Sequence, residues 1–487
     1  MNNLRKLLVC IPAVALTAVF SCSKKEPLSE NNESSQQSEE ISVPVFNEEN
    51  LSEESSTEES LPEEIPEAEI KIPNIKGQHI TWLADYDLNP QDNQEKSVAL
   101  SLFEDIYGAY VNFIYVNPDE KFSKLESMIL SGDDVDMFPY EPNALPDGVV
   151  KNQYEPLDPY FDIIGINTEL WDGMRDTVDM FEYKGSHYVV PYTVSNPILI
   201  TYSRKLMKSE KLDDPYNLYL DGKWDWDAMM KMMEKFVSKA ESGQTRYGIN
   251  GVFGDAVIRS TGHTVINYED GKFRNNIKDS EFEKAGKFMK DIVSKNLYNS
   301  YWYDCYPSSN SVLFYAMGDW SLGKSNAQNP DGDLMAVPFP KAPDAEQNYL
   351  CCDFSAKMLV KGSLKGEAVA AYIRCERLAA AQEDYKELAK KKALSVKKSD
   401  SGRPFVTEEQ YDAIQSYIES ENISPVFDFG YGMGESMYGD GNYTYDTRGV
   451  MNNLSEAILN GNADSWKSLR ERWTKTIDEA VKKFNKE

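Results

Sequence analysis

Between Val111 and Pro139 the chain leaves room for one arrangement only: strand, helix, strand. Val111 to Val116 is rich in β-branched and aromatic residues. Asp119 stands where a cap is needed for a helix that turns Phe122, Leu125 and Ile129 to one side. Gly132 then supplies the left-handed residue that ends such a helix, and Val135 to Pro139 forms the next strand. A helix between two strands returns the chain to its starting edge, so the strands run parallel in an α/β sheet. The same alternation begins earlier. Ile80 to Leu83 reads as a short strand that breaks into the polar run Asp85 to Pro90, and Ser97 to Ala109 has Leu100, Phe103 and Tyr107 on one face. Further on, Asp227 or Asp225 can cap a helix bearing Met230, Met233 and Val237. Phe282, Ala285, Met289, Ile292 and Val293 follow Asp279 at helical spacing. Trp466, Leu469, Trp473, Ile477, Ala480 and Phe484 repeat the pattern near the end, and Asn422 to Thr447 reads as irregular loops. All three stripes are expected in the core.

The first seventy residues obey different rules. Arg5 and Lys6 precede an apolar run from Leu7 to Phe20 that is too short to span a bilayer core needing ~20 residues. The stretch Val19-Phe20-Ser21-Cys22 resembles the bacterial lipobox, in which the cysteine is acylated and becomes the new N-terminus. Residues 1–22 are therefore expected to be a lipoprotein signal peptide, with Cys22 the lipidated residue. From 23 to 70 the chain is mostly Glu, Ser, Asn, Gln and Pro, with fifteen glutamates against Lys24 and Lys25. Such a segment cannot bury enough apolar surface to offset its ordering entropy, and it reads as a disordered, self-repelling linker. This places the folded part outside the cell, on the outer face of the bacterial cytoplasmic membrane, attached by lipid alone.

The formal net charge is −29, and the folded part is itself acidic, which excludes nucleic acid as a partner. Six cysteines include Cys10 and Cys22, leaving Cys305, Cys351, Cys352 and Cys375, too few for a disulfide framework although one bridge is open to them. Adjacent Cys351 and Cys352 are expected as small buried residues on opposite faces of a strand. Three scattered histidines, His79, His187 and His263, give zinc ligation or a Ser/His/Asp arrangement little to work with. No metal and no cofactor is expected. Aromatics make up 12% of the chain, a composition suited to stacking flat apolar faces.

Several segments resemble, in order, the extracellular solute-binding proteins of ATP-driven (ABC-type) importers, and within them the maltose and oligosaccharide binders. Asp119 to Leu125 followed by Leu130-Ser131-Gly132-Asp133-Asp134-Val135-Asp136 is similar to a family helix and the turn after it. Tyr183 to Pro191 with Leu199 to Arg204, Gly222-Lys223-Trp224-Asp225-Trp226-Asp227, Tyr268 to Phe273, Leu313 to Trp320, Val337 to Pro340 and Lys361 to Arg377 continue the match. The resemblance implies a two-lobed periplasmic-binding-protein-like fold with a hinge and an inter-lobe cleft, crossed by the chain more than once. Lobe 1 would hold 71–194 and 356–395, and lobe 2 would hold 195–355 and 396–487. It also implies capture of a small solute, an oligosaccharide above all, for delivery to permease subunits, by a protein that is a monomer and not an enzyme.

A sugar offers apolar C–H faces and a rim of hydroxyls, so its site needs aromatic plates and fixed polar groups. By the resemblance these are Tyr140 with Glu141 and Asn143, Asn196 where the family often has Glu, Phe253 to Asp255, and Trp320 in its Gly-Asp-Trp stretch. Asp85 and Tyr86 join them by their place at the end of the first strand. Trp302-Tyr303-Asp304 and Phe427-Asp428-Phe429 are further candidates, whereas Trp224 and Trp226 read as helix-start packing. A hydrolase would need two carboxylates flanking one bond. Glu141 with Asp255 or Asp304 could be named, but no spacing demands it. A surface sensor or adhesin on the same fold, and a non-sugar solute, remain the alternatives.

Overall fold

The computed structural model describes residues 70–91, 95–395, 406–420, 422–439 and 448–486. The signal-like segment, Cys22 and the acidic stretch up to residue 69 lie outside the described residues. Two central sheets organise the rest. In the first, Lys357–Leu359, Met137–Pro139, His79–Ala84 and Tyr110–Tyr115 lie side by side in that order. His79–Ala84 runs parallel to both neighbours, with Trp82 opposite Phe113 and Met137, as the strand–helix–strand spacing requires. Lys357–Leu359 closes the edge antiparallel.

The helices follow their sequence signals with local corrections. Val98–Tyr107 begins where Ser97 Oγ accepts the Leu100 N–H at 3.2 Å and stops at left-handed Gly108. Lys121–Ser131 stops at left-handed Gly132, but Asp119 does not cap it. Asn117 Oδ1 accepts the Asp119 N–H at 3.2 Å, heading a one-turn 3-10 helix, Pro118–Glu120, that runs into the α-helix. The cap moves because Pro118, with its fixed φ and no N–H, suits the first turn. On that helix Leu125 and Met128 are buried, while Phe122 and Ile129 flank them half-buried.

In the second sheet the order is Tyr298–Asn299, Tyr247–Gly251, Val312–Gly318, Ile198–Ser203, Leu334–Pro338. The first three are parallel, and Ile198–Ser203 is antiparallel to its two neighbours. Asp225, not Asp227, caps the helix Trp226–Ser238, its Oδ1 accepting the Ala228 N–H at 2.8 Å. Its buried face is Met229, Met232, Met233 and Phe236, with the expected Met230 and Val237 half-buried beside it and packed on the same core. Helices Ser280–Ser294 and Trp466–Phe484 meet through stacked Phe282 and Trp466, whose ring centroids lie 5.2 Å apart.

Two short strands carry the chain between the sheets. Thr193–Ser195 and Asp353–Ser355 pair antiparallel, with Ser195 opposite Asp353, and lead directly into Ile198–Ser203 and Lys357–Leu359. Helix Gly366–Ala381 packs back on the first sheet's layer, Tyr372 edge-on to Phe103 at 5.2 Å. The outcome is a two-lobed α/β fold. The region 422–447 is less irregular than expected: Ile423–Pro425 pairs parallel with Asn348–Leu350, and Glu435–Tyr438 forms a helical turn, while 440–447 lie outside the described residues. Cys351 and Cys352 are buried, as expected, but on the link between two strands rather than in one. The four described cysteines are all free thiols.

Candidate ligand site at the lobe crossing

Ligands of α/β sheets gather beyond the carboxyl ends of the strands. At that edge of the first sheet stand Asp85 and Tyr86, Tyr115, and Tyr140 with Glu141. At that edge of the second stand Val252, Tyr301 to Tyr303, and Asp319 with Trp320. Ile198–Ser203 runs the opposite way, and Ile198 lies opposite Gly318, so Asn196 reaches the same edge from the start of its strand. The crossing strands join both edges: Ser195 faces Asp353, and the Tyr140 N–H donates to the Ala356 carbonyl at 3.1 Å.

The second lobe's edge presents apolar surface to solvent. Val252 is 42% exposed, Tyr301 55%, Trp302 46% and Trp320 42%, all at the ends of three neighbouring strands. Tyr301 and Tyr303 pack ring against ring at 4.9 Å. Large apolar groups gathered on one rim mark a contact surface. Tyr115, at the end of its strand in the first lobe, is also exposed.

Polar groups converge beside these plates. Asn196 sits in the left-handed region with φ 47°, a conformation asparagine tolerates, and its Nδ2 donates to Asp353 Oδ2 at 3.2 Å. The next residue, Pro197, accepts the Asp319 N–H at 3.1 Å. Burial pushes the Asp319 carboxyl up to about 6, partly opposed by backbone N–H groups. Burial also raises Asp353, against the pull of Arg259 and the Asn196 hydrogen bond. Arg259 Nη1 donates to the carbonyls of Cys352 and Val426, each at 3.1 Å, and its Nη2 lies 2.9 Å from Asp255 Oδ2. The guanidinium sits 5.2 Å over the Tyr431 ring, whose hydroxyl donates to Asp255 Oδ1 at 2.6 Å. In the first lobe Lys121 pairs with Glu141 and lies 3.9 Å from Asp85. Burial still holds the Glu141 carboxyl above its ordinary value, with Lys121 opposing.

The sequence-derived candidates divide accordingly. Asp85, Tyr140, Glu141, Asn196, Asp255 and Trp320 all reach the edge where the lobes meet. Asn143 lies next to it with its Oδ1 buried and unpartnered. Tyr86 belongs to the wall behind: its hydroxyl lies 3.4 Å from the buried Lys357 Nζ, and its carbonyl accepts the Trp82 Nε1–H at 2.9 Å. Phe253 is a core residue at 1% exposure, edge-on to Tyr298 at 5.4 Å, so it offers no face to a ligand. Asp255 is held by Arg259 and Tyr431 rather than free. Phe427 stacks on Phe181 at 4.2 Å and Asp428 accepts the N–H groups of Val265, Ile266 and Gly430, which makes that stretch structural. Sequence reasoning missed Arg259, Asp319, Asp353 and Tyr115. Asp319 was legible as the neighbour of Trp320, whereas Asp353 carries no local signal, its partner Asn196 lying 157 positions away.

Among the described residues no group of three or more His, Cys, Asp or Glu is arranged to hold a metal ion. No described helix is long and apolar enough to cross a membrane. Two recesses lie elsewhere, about 350 Å³ beside Asp147, Glu435 and Lys483 and about 540 Å³ beside Arg204, Lys205 and Asp214. Their charged linings lack the aromatic faces of the lobe edge.

Among curated proteins none is significantly similar in sequence. Solved structures share the fold at low identity. The sugar-binding protein MalE of Xanthomonas citri has a TM-score of 0.58 at 14% identity, covering 83% of this chain and 98% of its own. An ABC substrate-binding protein of Listeria monocytogenes, solved with cycloalternan, has a TM-score of 0.51 at 15% identity, with coverages of 84% and 98%. UgpB of Mycobacterium tuberculosis, solved with glycerophosphocholine, has a TM-score of 0.54 at 15% identity, with coverages of 79% and 94%. The match of residues 99–395 to one family of binding proteins, which are not enzymes, is broader than any single motif. On that match and this fold, the chain belongs to the family described as bacterial extracellular solute-binding protein.

Proposed function

We propose that the protein captures a carbohydrate, an oligosaccharide, between its lobes and delivers it to the permease subunits of an ABC-type importer. The observation that carries this reading is the set of exposed aromatic residues, Tyr301, Trp302 and Trp320, at the carboxyl ends of the two strands that flank Tyr247–Gly251. Flat plates fit the C–H faces of sugar rings, and the half-buried Asp319, Asp353 and Asn196 fit their hydroxyls. Structural relatives include a sugar-binding protein and one bound to cycloalternan, which supports the same reading. The lobes would be 71–194 with 356–395, and 195–355 with 396–487, closing about the paired crossing strands.

Trp320→Ala tests the site. An aromatic anchor at a binding surface is worth about 2 kcal/mol or more, so affinity for the preferred oligosaccharide should fall by roughly thirtyfold or more. The melting temperature without ligand should hold, because the indole is 42% exposed. Calorimetric titration of both proteins settles it, and equal affinities would remove Trp320 from the site.

We further propose that acylation at Cys22 tethers the protein to the membrane and that 23–70 spaces it from the lipid. Cys22→Ser should move the protein from the membrane fraction into the soluble extracellular fraction. Unchanged fractionation of this variant would dismiss the lipid anchor.

A further inference from the structure

We propose that Asn250 is a positioning residue of the ligand site: its buried carboxamide ties down the segment from Asn299 to Tyr303 and so fixes Tyr301 and Trp302 before a ligand arrives. The role of those two rings rests on the carbohydrate reading above, which this deepens.

The strand Tyr298–Asn299 ends after two residues, with Asn299 opposite Asn250. Beyond it, side chains take over. Asn250 Nδ2 donates to the Asn299 carbonyl at 2.7 Å and to the Tyr301 carbonyl at 2.6 Å. The Tyr301 N–H donates to Asn299 Oδ1 at 2.9 Å. The Tyr315 hydroxyl donates to the Tyr303 carbonyl at 3.1 Å. The carbonyls of 299, 301 and 303 are thus held one after another, every second residue, as a neighbouring strand would hold them. Asn250 and Tyr315 stand opposite each other on parallel strands, so their side chains leave the sheet on the same face. Both are buried, at 1% and 0% exposure.

The residue type is specific to this task. A nitrogen with two hydrogens is what can meet two carbonyl oxygens at these distances, and this fixes which way the amide points. Its Oδ1 is then buried without a hydrogen-bond partner among the described residues. A buried acceptor left unpaired costs stability. An apolar side chain would spare that cost but would hold neither carbonyl. Asn250 is therefore explained by the segment it restrains rather than by the strand it stands in, a local conflict of the kind found at functional sites. That segment carries part of the apolar rim, Tyr301 at 55% and Trp302 at 46% exposure. Rings already held in place lose less freedom on binding, which is how preorganisation raises affinity.

The test uses the full chain and three probes, maltotetraose, cellotetraose and the chitin tetramer, the tightest binder being carried forward. In Asn250→Leu, amide hydrogen exchange across 300–303 should speed up by about tenfold or more while the other strands of the sheet keep their protection. Affinity for the probe should fall about tenfold, the loss of two hydrogen bonds. In a background carrying Tyr301→Ala and Trp302→Ala the same substitution should cost less than about twofold, because no ring is left to position. Asn250→Ser keeps one donor on a shorter side chain and should show the same pattern at reduced size, and it takes over where the leucine variant does not fold. Equal losses of affinity in both backgrounds would make Asn250 merely structural and overturn the proposal. Unchanged exchange across 300–303, or faster exchange with undiminished affinity, would overturn it too. Binding of none of the three probes by the unaltered chain would overturn the carbohydrate reading, and the exchange result alone would then uphold or overturn the hold on Tyr301 and Trp302.

Discussion

Arg259→Met is expected to lower stability by about 3–5 kcal/mol, the range for removing one partner of a buried ion pair. The side chain joins four separate segments: its own helix, the Cys351-Cys352 link, the chain after Pro425, and Tyr431. Burial works against its charge, yet Asp255 and the neighbouring thiols and phenol more than offset this and keep it protonated. Methionine fills similar volume but leaves two carbonyls without their donor and Asp255 without its cation, held by the Tyr431 hydroxyl. Arg259→Lys keeps the charge and loses the planar fork, so it should recover only part of the loss. Urea denaturation of the three proteins gives the comparison. A cost below about 1 kcal/mol, the range of an exposed pair, would mean that water replaces the guanidinium.

Lys357→Met should be comparably costly for a different reason. Lys357 is 3% exposed, 4.8 Å over the Trp82 ring and within 6 Å of the Tyr86 and Tyr192 rings, with Glu376 at 3.8 Å. Burial pulls its ammonium toward the neutral form, but Tyr192, Tyr86 and Glu376 outweigh burial. Removing it strands Glu376, a carboxyl that burial already pushes up and that Lys357 holds back. The expected loss near pH 8 is about 3–5 kcal/mol. A carboxyl raised in the folded state favours the protonated folded form. The variant should therefore be most stable below the unfolded value near 4.3 and lose stability as pH rises through the folded value. The double variant Lys357→Met with Glu376→Gln should recover most of the loss. A double variant no better than the single one would show that the aromatic cage around the cation matters more than the pair.

Which parts were legible follows from the range of the signals. The parallel strands and the glycine stop at Gly132 were readable because they depend on neighbours within a few residues, whereas the helix expected to run to Ala109 ends sooner, at Gly108. The caps at Asn117 and Asp225 were blurred because two acceptors stood two positions apart, and only Pro118 and the burial of Met229 choose between them. Trp320 announced itself through its Gly-Asp-Trp context. Phe253 did not declare its place: an aromatic residue just after a strand looks the same in sequence whether it points into the core or out to a ligand. Asn196 and Asp353 form one polar unit through strand pairing, and pairing between distant strands leaves no mark on either local sequence. The lobe edge was therefore half visible: Trp320, Asp85, Glu141 and Asn196 in the sequence, Asp353, Arg259 and Tyr115 only in the fold.

The strand Lys357–Leu359 has one more consequence. It closes a sheet whose neighbouring strand, Met137–Pro139, was made roughly 200 residues earlier, and long-range pairing of this kind is slow to form. A chain emerging N-terminus first exposes the open edge of Met137–Pro139 throughout that interval, and unpaired edges invite association. The layout thus delays completion of the first sheet until about three quarters of the polypeptide has been made. It makes the period before Leu359 appears the window in which chaperones matter most.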